Sequence, residues 1–321
     1  MLYGNITDVP GIKVGNIEDM IAMTGCSVVI VEDGAVCGVD VRGSAPGTRE
    51  TDLLNPIHMV NKVHAITLSG GSAFGLAAAD GVMQYLEEQG IGLDVGVAKV
   101  PIVPSAVLFD LAVGSEKVRP DQKMGYQAAK KAEKGLFPQG NFGAGCGATV
   151  GKITGMKQCM KGGLGSASMQ LGDGIIVGAI VGVNALGDIR HPQSGKILAG
   201  PIDPNTNKII DSLNYIETSL ESDISPGMNT TIGVVAANVA LTKAEATKVS
   251  QVAQNALAKT IYPAHTMLDG DTIFALATGD RTVSVDVIGN MAAKVLEEAI
   301  VKAITSAEKI GDIPSYKSYN S

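Results

Sequence analysis

The residues best placed to do chemistry are Asn229-Thr230-Thr231, which follow a Pro226-Gly227-Met228 approach and run straight into Ile232-Gly233-Val234-Val235-Ala236-Ala237. The apolar, β-branched run reads as a buried strand. A hydroxyl residue at the entrance of a core strand suits one chemistry in particular. If the chain is cut just before it, its side chain supplies a nucleophile and its freed α-amine supplies the base. The stretch therefore suggests a precursor that cleaves itself between Asn229 and Thr230, although a plain strand entrance would carry the same residues. Downstream, Asp269-Gly270-Asp271 sets two carboxylates just ahead of a second apolar run, Thr272 to Ala277. Two acids so close can orient a hydroxyl and an amine, one of them with a raised pKa. A turn before a strand fits the same spacing, and so does a divalent-cation site given more acidic help nearby.

Ser69-Gly70-Gly71-Ser72-Ala73-Phe74-Gly75 lies between a strand and a helix. Such a turn can offer backbone N–H groups to an anion, line a substrate pocket, or be a tight turn with Ser72 as N-cap. It lacks the lysine of a phosphate loop and the spacing of a dinucleotide fingerprint. His58, His64, His191 and His265 have no metal-ligand spacing. His265 stands just before the acidic pair, yet a lone loop histidine reads first as a surface hydrogen-bonding residue. Cys26, Cys37, Cys146 and Cys159 form no CxxC and read as buried thiols in a reducing cytoplasm.

The elements that must position these residues sit in a 321-residue chain with 45% hydrophobic residues, 40 Gly and no Trp. That length carries a large core. A net charge of −7 and 4% aromatic residues disfavour a nucleic-acid partner. No apolar stretch is long enough to span a bilayer, and the N-terminus has no signal-peptide pattern. Cys26 to Ile30 and Ala35 to Val41 read as two strands joined by a Glu32-Asp33-Gly34 hairpin. Pro56 to Lys62 reads as helical, Ala65 to Leu68 as a strand, Ala73 to Gln89 as a helix, and Asp121 to Lys134 as an amphipathic helix. From Ala148 to Gly187, glycine-punctuated runs predict an antiparallel meander. Gly195 to Ser225 reads as a long exposed connection. After it come strand, helix (Lys243 to Ile261), strand and helix (Val285 to Lys309). The sum is an α+β chain in four layers: helix, sheet, sheet, helix.

With these segments in order, the chain resembles the DmpA family of aminopeptidases. That family includes L-aminopeptidase/D-esterases, β-peptidyl aminopeptidases and endo-type nylon-oligomer hydrolases. The resemblance covers nearly the whole chain. It rests on Thr7-Asp8-Val9-Pro10-Gly11-Ile12-Lys13-Val14-Gly15, Leu68 to Leu76, Val100-Pro101-Ile102-Val103-Pro104, Gly143 to Lys152, Asn229-Thr230-Thr231-Ile232 and Asp269 to Ala275. It implies a single αββα sandwich of the N-terminal-nucleophile-hydrolase type. It also implies self-cleavage into an α chain (1–229) and a β chain (230–321), with Thr230 rather than Thr231 as nucleophile. Asp269 and Asp271 carry over as the acids that hold and tune it, Asn184 as an oxyanion donor, and Lys152 as a pocket lysine. Thr with two aspartates is most similar to the nylon-oligomer hydrolases. At Phe109 that branch carries Tyr, so this chain lacks a hydroxyl there. Ser69, Gly70, Gly71, Ser72 and Phe109 would line the substrate site. The resemblance implies no cofactor or metal, a small peptide or amide substrate, and homo-oligomers of αβ units, often tetramers. Two rivals stand beside it. One is acyl transfer to an amine, as in ornithine acetyltransferases; the other is an unprocessed ligand-binding relative.

Overall fold

The computed structural model describes residues 2–219 and 228–321. Eight strands build the frame: β1 (Ile12–Asp19), β2 (Thr24–Val41), β3 (Lys62–Ser69), β4 (Ser105–Val107), β5 (Gly163–Gln170), β6 (Ile176–Asn184), β7 (Thr230–Ala237) and β8 (Thr272–Ala277). Hydrogen bonding links them in the order β5-β6-β7-β8-β2-β3-β4, with a short strand, Thr48–Arg49, beyond β4 and β1 on the edge of β2. The ladder is antiparallel except for β7–β8 and β3–β4.

Side chains alternate along each strand, and the two faces meet different partners. In β7, Ile232 and Val234 join one cluster with Val29, Val31, Ile66, Leu68 and Phe274. Val235 and Ala237 face the other way, towards α3 (Lys243–Ala253), α4 (Asn255–Thr260) and α5 (Val285–Ser306). Across the molecule, Cys26, Val28 and Ile30 pack on α1 (Ala78–Glu88) and α2 (Gln122–Lys130). Three clusters between four layers make an αββα sandwich. Side chains of the bulk of Phe274, fully buried between the sheets, each stabilise by about 1.5–3 kcal/mol. Helix starts follow the local chemistry. Asp121 accepts from the Met124 N–H at 2.8 Å, and Thr242 and Glu245 form a capping box on α3. Among the described residues, no helix is long and apolar enough to cross a membrane.

Strand β2 carries this one ladder between the two sheet layers of the sandwich. Its first half lies between β1 and β3, and Val36–Val41 pairs with β8. The expected hairpin at Glu32-Asp33-Gly34 is therefore absent. Gly34, at φ 70°, sits where the register against β3 shifts between Ile30 and Ala35, so the strand bends and carries on. Asp-Gly favours a positive φ in a bulge as readily as in a turn, and a continuous partner strand selects the bulge. Pro56 to Lys62 is not a helix either. Lys243 Nζ draws in the carbonyls of Leu53, His58 and Val60 at 2.9, 3.0 and 3.0 Å, which keeps that segment irregular. Within the expected long connection, residues 197–199 form a strand with Leu198 and Ala199 buried, and Ser212–Thr218 is a helix capped by Asp211. Residues 220–225 of that connection and the Pro226-Gly227 approach lie outside the described residues.

Candidate active site

Alternation along β7 puts Thr230 on the same side as Ile232 and Val234, facing the space between the sheets. Antiparallel pairing sets Asn184, the last residue of β6, directly opposite Thr230. Asn229 precedes the strand and bridges Asp269 in parallel fashion. Thr230, Asn229, Asn184, Asp269, Asp271 and Lys152 are all buried.

Two carbonyl oxygens receive the polar groups. The Asn229 carbonyl, on the expected scissile bond, accepts from the Thr230 hydroxyl and from the Gly270 N–H at 2.9 Å. The Met228 carbonyl accepts from Asn184 Nδ2 at 3.2 Å and from Lys152 Nζ at 3.0 Å. Asn184 is locked in place: its Nδ2 also donates to the Phe109 carbonyl at 2.9 Å, and its Oδ1 accepts from the Thr149 N–H and Lys152 Nζ, both at 2.9 Å. The Asn229 side chain is buried, and neither of its polar atoms has a partner among the described residues. The Thr231 hydroxyl is likewise unpartnered, so of the two threonines only Thr230 engages the carbonyl ahead of it.

The acidic pair is held by its own loop and by strand β7. Asp271 Oδ1 accepts from the Thr231 N–H at 2.7 Å, and Oδ2 accepts from the backbone N–H and ring Nδ1 of His265 at 3.1 and 2.9 Å. Asp269 Oδ2 accepts from the N–H and hydroxyl of Thr266, both at 2.7 Å. Neither acid hydrogen-bonds the Thr230 hydroxyl in the continuous chain; Asp271 reaches the strand one residue further on. Burial, reinforced by the negative charge of Asp271, pushes Asp269 up to about 6, while Thr266 and Lys152 pull the other way. Burial brings the Lys152 ammonium down to about 7. Both groups can exchange a proton near neutrality.

Residues Ser69–Ser72 stand one step away. The N–H groups of Gly70, Gly71 and Ser72 donate to Gly25 O, Asp110 Oδ1 and Leu108 O at 2.9, 2.7 and 2.9 Å. Those donors are spent inside the protein, which removes the support for an anion site. Ser72 is not the N-cap, because a 3-10 turn starts at Ser72 itself. The turn instead anchors 108–110, the segment whose Phe109 carbonyl grips Asn184. The sequence signals underrated His265, the Gly270 N–H and Gly43. A Cβ on Gly43 would lie 2.3 Å from Asp271 N and 2.4 Å from Asp269 O. Only the position of His265 beside the acidic motif hinted at any of them.

Comparison with known proteins places the chain in a family and a fold. The model of a family described as Peptidase family S58 matches residues 4–315. An uncharacterized aminopeptidase of Mycobacterium leprae is 40% identical over 97% of this chain and 93% of its own length. A 6-aminohexanoate-oligomer endohydrolase of a Kocuria species is 32% identical over 92% of this chain and 84% of its own. Among solved structures, a Burkholderia β-aminopeptidase superposes with a TM-score of 0.71 at 20% identity, covering 98% of this chain and 90% of that one. The L-aminopeptidase D-Ala-esterase/amidase of Ochrobactrum anthropi, described as a variant of the Ntn hydrolase fold, also gives 0.71, at 17% identity over 96% of this chain and 88% of that one. The two structures carry the fold, and the sequence relatives carry the family.

Proposed function

The chain belongs to peptidase family S58 and is an amide-bond hydrolase, and from that premise we propose that Thr230, freed by self-cleavage of the Asn229–Thr230 bond, is its nucleophile. One observation carries this reading: the Thr230 hydroxyl lies against the Asn229 carbonyl oxygen, which the Gly270 N–H also holds. In maturation, Thr230 Oγ adds to the Asn229 carbonyl carbon and gives up its proton. The Gly270 N–H stabilises the oxygen as it gains charge, an effect worth about 3–4 kcal/mol per donor in comparable sites. The C–N bond breaks, the nitrogen takes a proton, and Asn229 is left as an ester on Thr230 Oγ. Water hydrolyses the ester, giving a carboxylate on Asn229 and a free α-amine on Thr230. Asp269, bridged to Asn229 and with its carboxyl raised to about 6, is the proton carrier for these steps.

In turnover, the Thr230 α-amine, with an ordinary pKa of about 8, takes the hydroxyl proton as Oγ attacks a substrate amide. Asn184 Nδ2 and Lys152 Nζ, released from the Met228 carbonyl, become donors for the substrate. Water then clears the acyl group. The names of the relatives point to amide-bonded small molecules as substrates: short peptides, amino-acid amides or amide oligomers. Thr230→Ala is expected to give one uncut chain with no activity, and Thr230→Ser two chains, on a denaturing gel. Two bands from Thr230→Ala would reject the assignment.

A further inference from the structure

His265 lies outside the chemistry above, yet its placement is costly and specific. It has φ 58°, a left-handed conformation that non-glycine residues seldom adopt and that persists where surrounding structure enforces it. That conformation turns both its backbone N–H and its ring Nδ1 onto one oxygen, Asp271 Oδ2, at 3.1 and 2.9 Å. Because a carboxylate oxygen only accepts, the contact places a hydrogen on Nδ1. The imidazole is largely buried, and its Nε2 has no partner among the described residues. With Oδ2 occupied twice, Asp271 has Oδ1 left, and that oxygen receives the Thr231 N–H at 2.7 Å. The three residues form a brace from the loop to the start of β7, next to Thr230.

We propose that His265 is a positioning residue: it fixes the Asp271 carboxylate so that Asp271 sets the attitude of the Thr230–Thr231 backbone for attack on the Asn229 carbonyl. The inference rests on the self-cleavage reading and deepens it. Without the imidazole, Asp271 keeps one backbone donor on Oδ2 and can rotate, and the Thr230 hydroxyl loses its fixed approach. Small displacements at such a point cost rate steeply, because the reaction depends on a held near-attack geometry. A histidine that only filled space would affect stability and not the rate in particular.

The test uses the full chain and follows the first-order conversion of one chain into two, which needs no substrate. His265→Ala removes the ring donor. His265→Asn keeps an N–H donor near the Nδ1 position and tolerates a positive φ. Expected are a roughly 100-fold slower conversion in His265→Ala and recovery to within about fivefold of wild type in His265→Asn, with melting temperatures of the two variants within a few degrees of each other. A His265→Ala chain cut at the wild-type rate overturns the proposal, and so does His265→Asn as slow as His265→Ala. So does a slowing that tracks loss of melting temperature across both variants. A wild-type chain that stays whole, or a Thr230→Ala chain that is cut, overturns the self-cleavage reading and this proposal with it. A wild type cut normally beside an equally fast His265→Ala overturns this proposal alone.

Discussion

Lys152 shows how much the site asks of single residues. Its ammonium is fully buried against three oxygens: Asn184 Oδ1 at 2.9 Å, Asn184 O at 3.1 Å and Met228 O at 3.0 Å. Burial lowers its pKa from 10.5 to about 7. From about 7 to 10.5 the unfolded chain thus holds a proton that the folded chain has released, so this residue makes stability rise with pH across that window. Below about 7 both states are protonated and the contribution is flat. Asp269 acts in the opposite sense and elsewhere: raised from 3.8 to about 6, it gives stability that is complete below 3.8 and lost as pH climbs through 6. The melting temperature of wild type is therefore expected to climb relative to Lys152→Met between about pH 7 and 10, by a few degrees. Titrating groups beyond the reach of the Lys152 charge are common to both proteins and cancel. Parallel curves would show that Lys152 keeps its proton. In the sequence, Lys152 and Asn184 carry no pattern of their own; only the family resemblance pointed to them, because their pairing brings residues 32 apart in the chain together at the Met228 carbonyl.

At the scale of elements, the site is held by the continuation of β2. Beyond Val41, the N–H groups of Arg42 and Gly43 donate to Asp271 O at 2.9 and 3.2 Å, and that of Ala45 to Asp269 O at 2.8 Å. From Gly43 to Thr51 the sequence reads as a Gly/Pro/Ser loop, and it lacks the alternation that marks a strand. Its role is set by backbone contact with the acidic loop, which side-chain patterns do not report. The hairpin expected at Asp33-Gly34 failed for a related reason: residue types specify a positive φ, and the neighbouring strand decides what the chain does with it. The long apolar strands were legible because both faces are buried against different layers. Gly43→Ala places a Cβ 2.3 Å from Asp271 N, closer than real side chains approach, and so pushes the acidic loop away from β2. Conversion to two chains is expected to slow at least tenfold, with far-UV circular dichroism near wild type and a loss of about 1–3 kcal/mol of stability. Wild-type conversion by Gly43→Ala would show that the loop tolerates the shift and that its register is not what aligns Thr230.

Across the whole molecule, a cut before Thr230 would divide the sandwich without opening it. The piece from 230 onward supplies β7 and β8, which lie between β6 and β2 of the preceding piece. Two of the three core clusters draw on both pieces: Ile232 and Phe274 pack with Val29 and Leu68, and Val235 and Leu296 with Val177 and Val181. The order of apolar runs predicted four layers, but not that the two central strands of one sheet come from beyond the cut. The two pieces are therefore expected to stay together in native buffer and to part only on unfolding. That couples stability to concentration, because unfolding of the cut protein yields two molecules where the uncut chain yields one. With an unfolding enthalpy near 0.7 kcal/mol per residue, each tenfold dilution should lower the melting temperature of the cut protein by about 2 °C. The uncut Thr230→Ala chain is the reference, since any assembly of whole units adds the same dependence to both. Scanning calorimetry over a hundredfold range of concentration should give a steeper slope for the cut protein. Equal slopes in a protein shown by gel to be cut would mean that one piece holds its fold without the other, against the shared core described above.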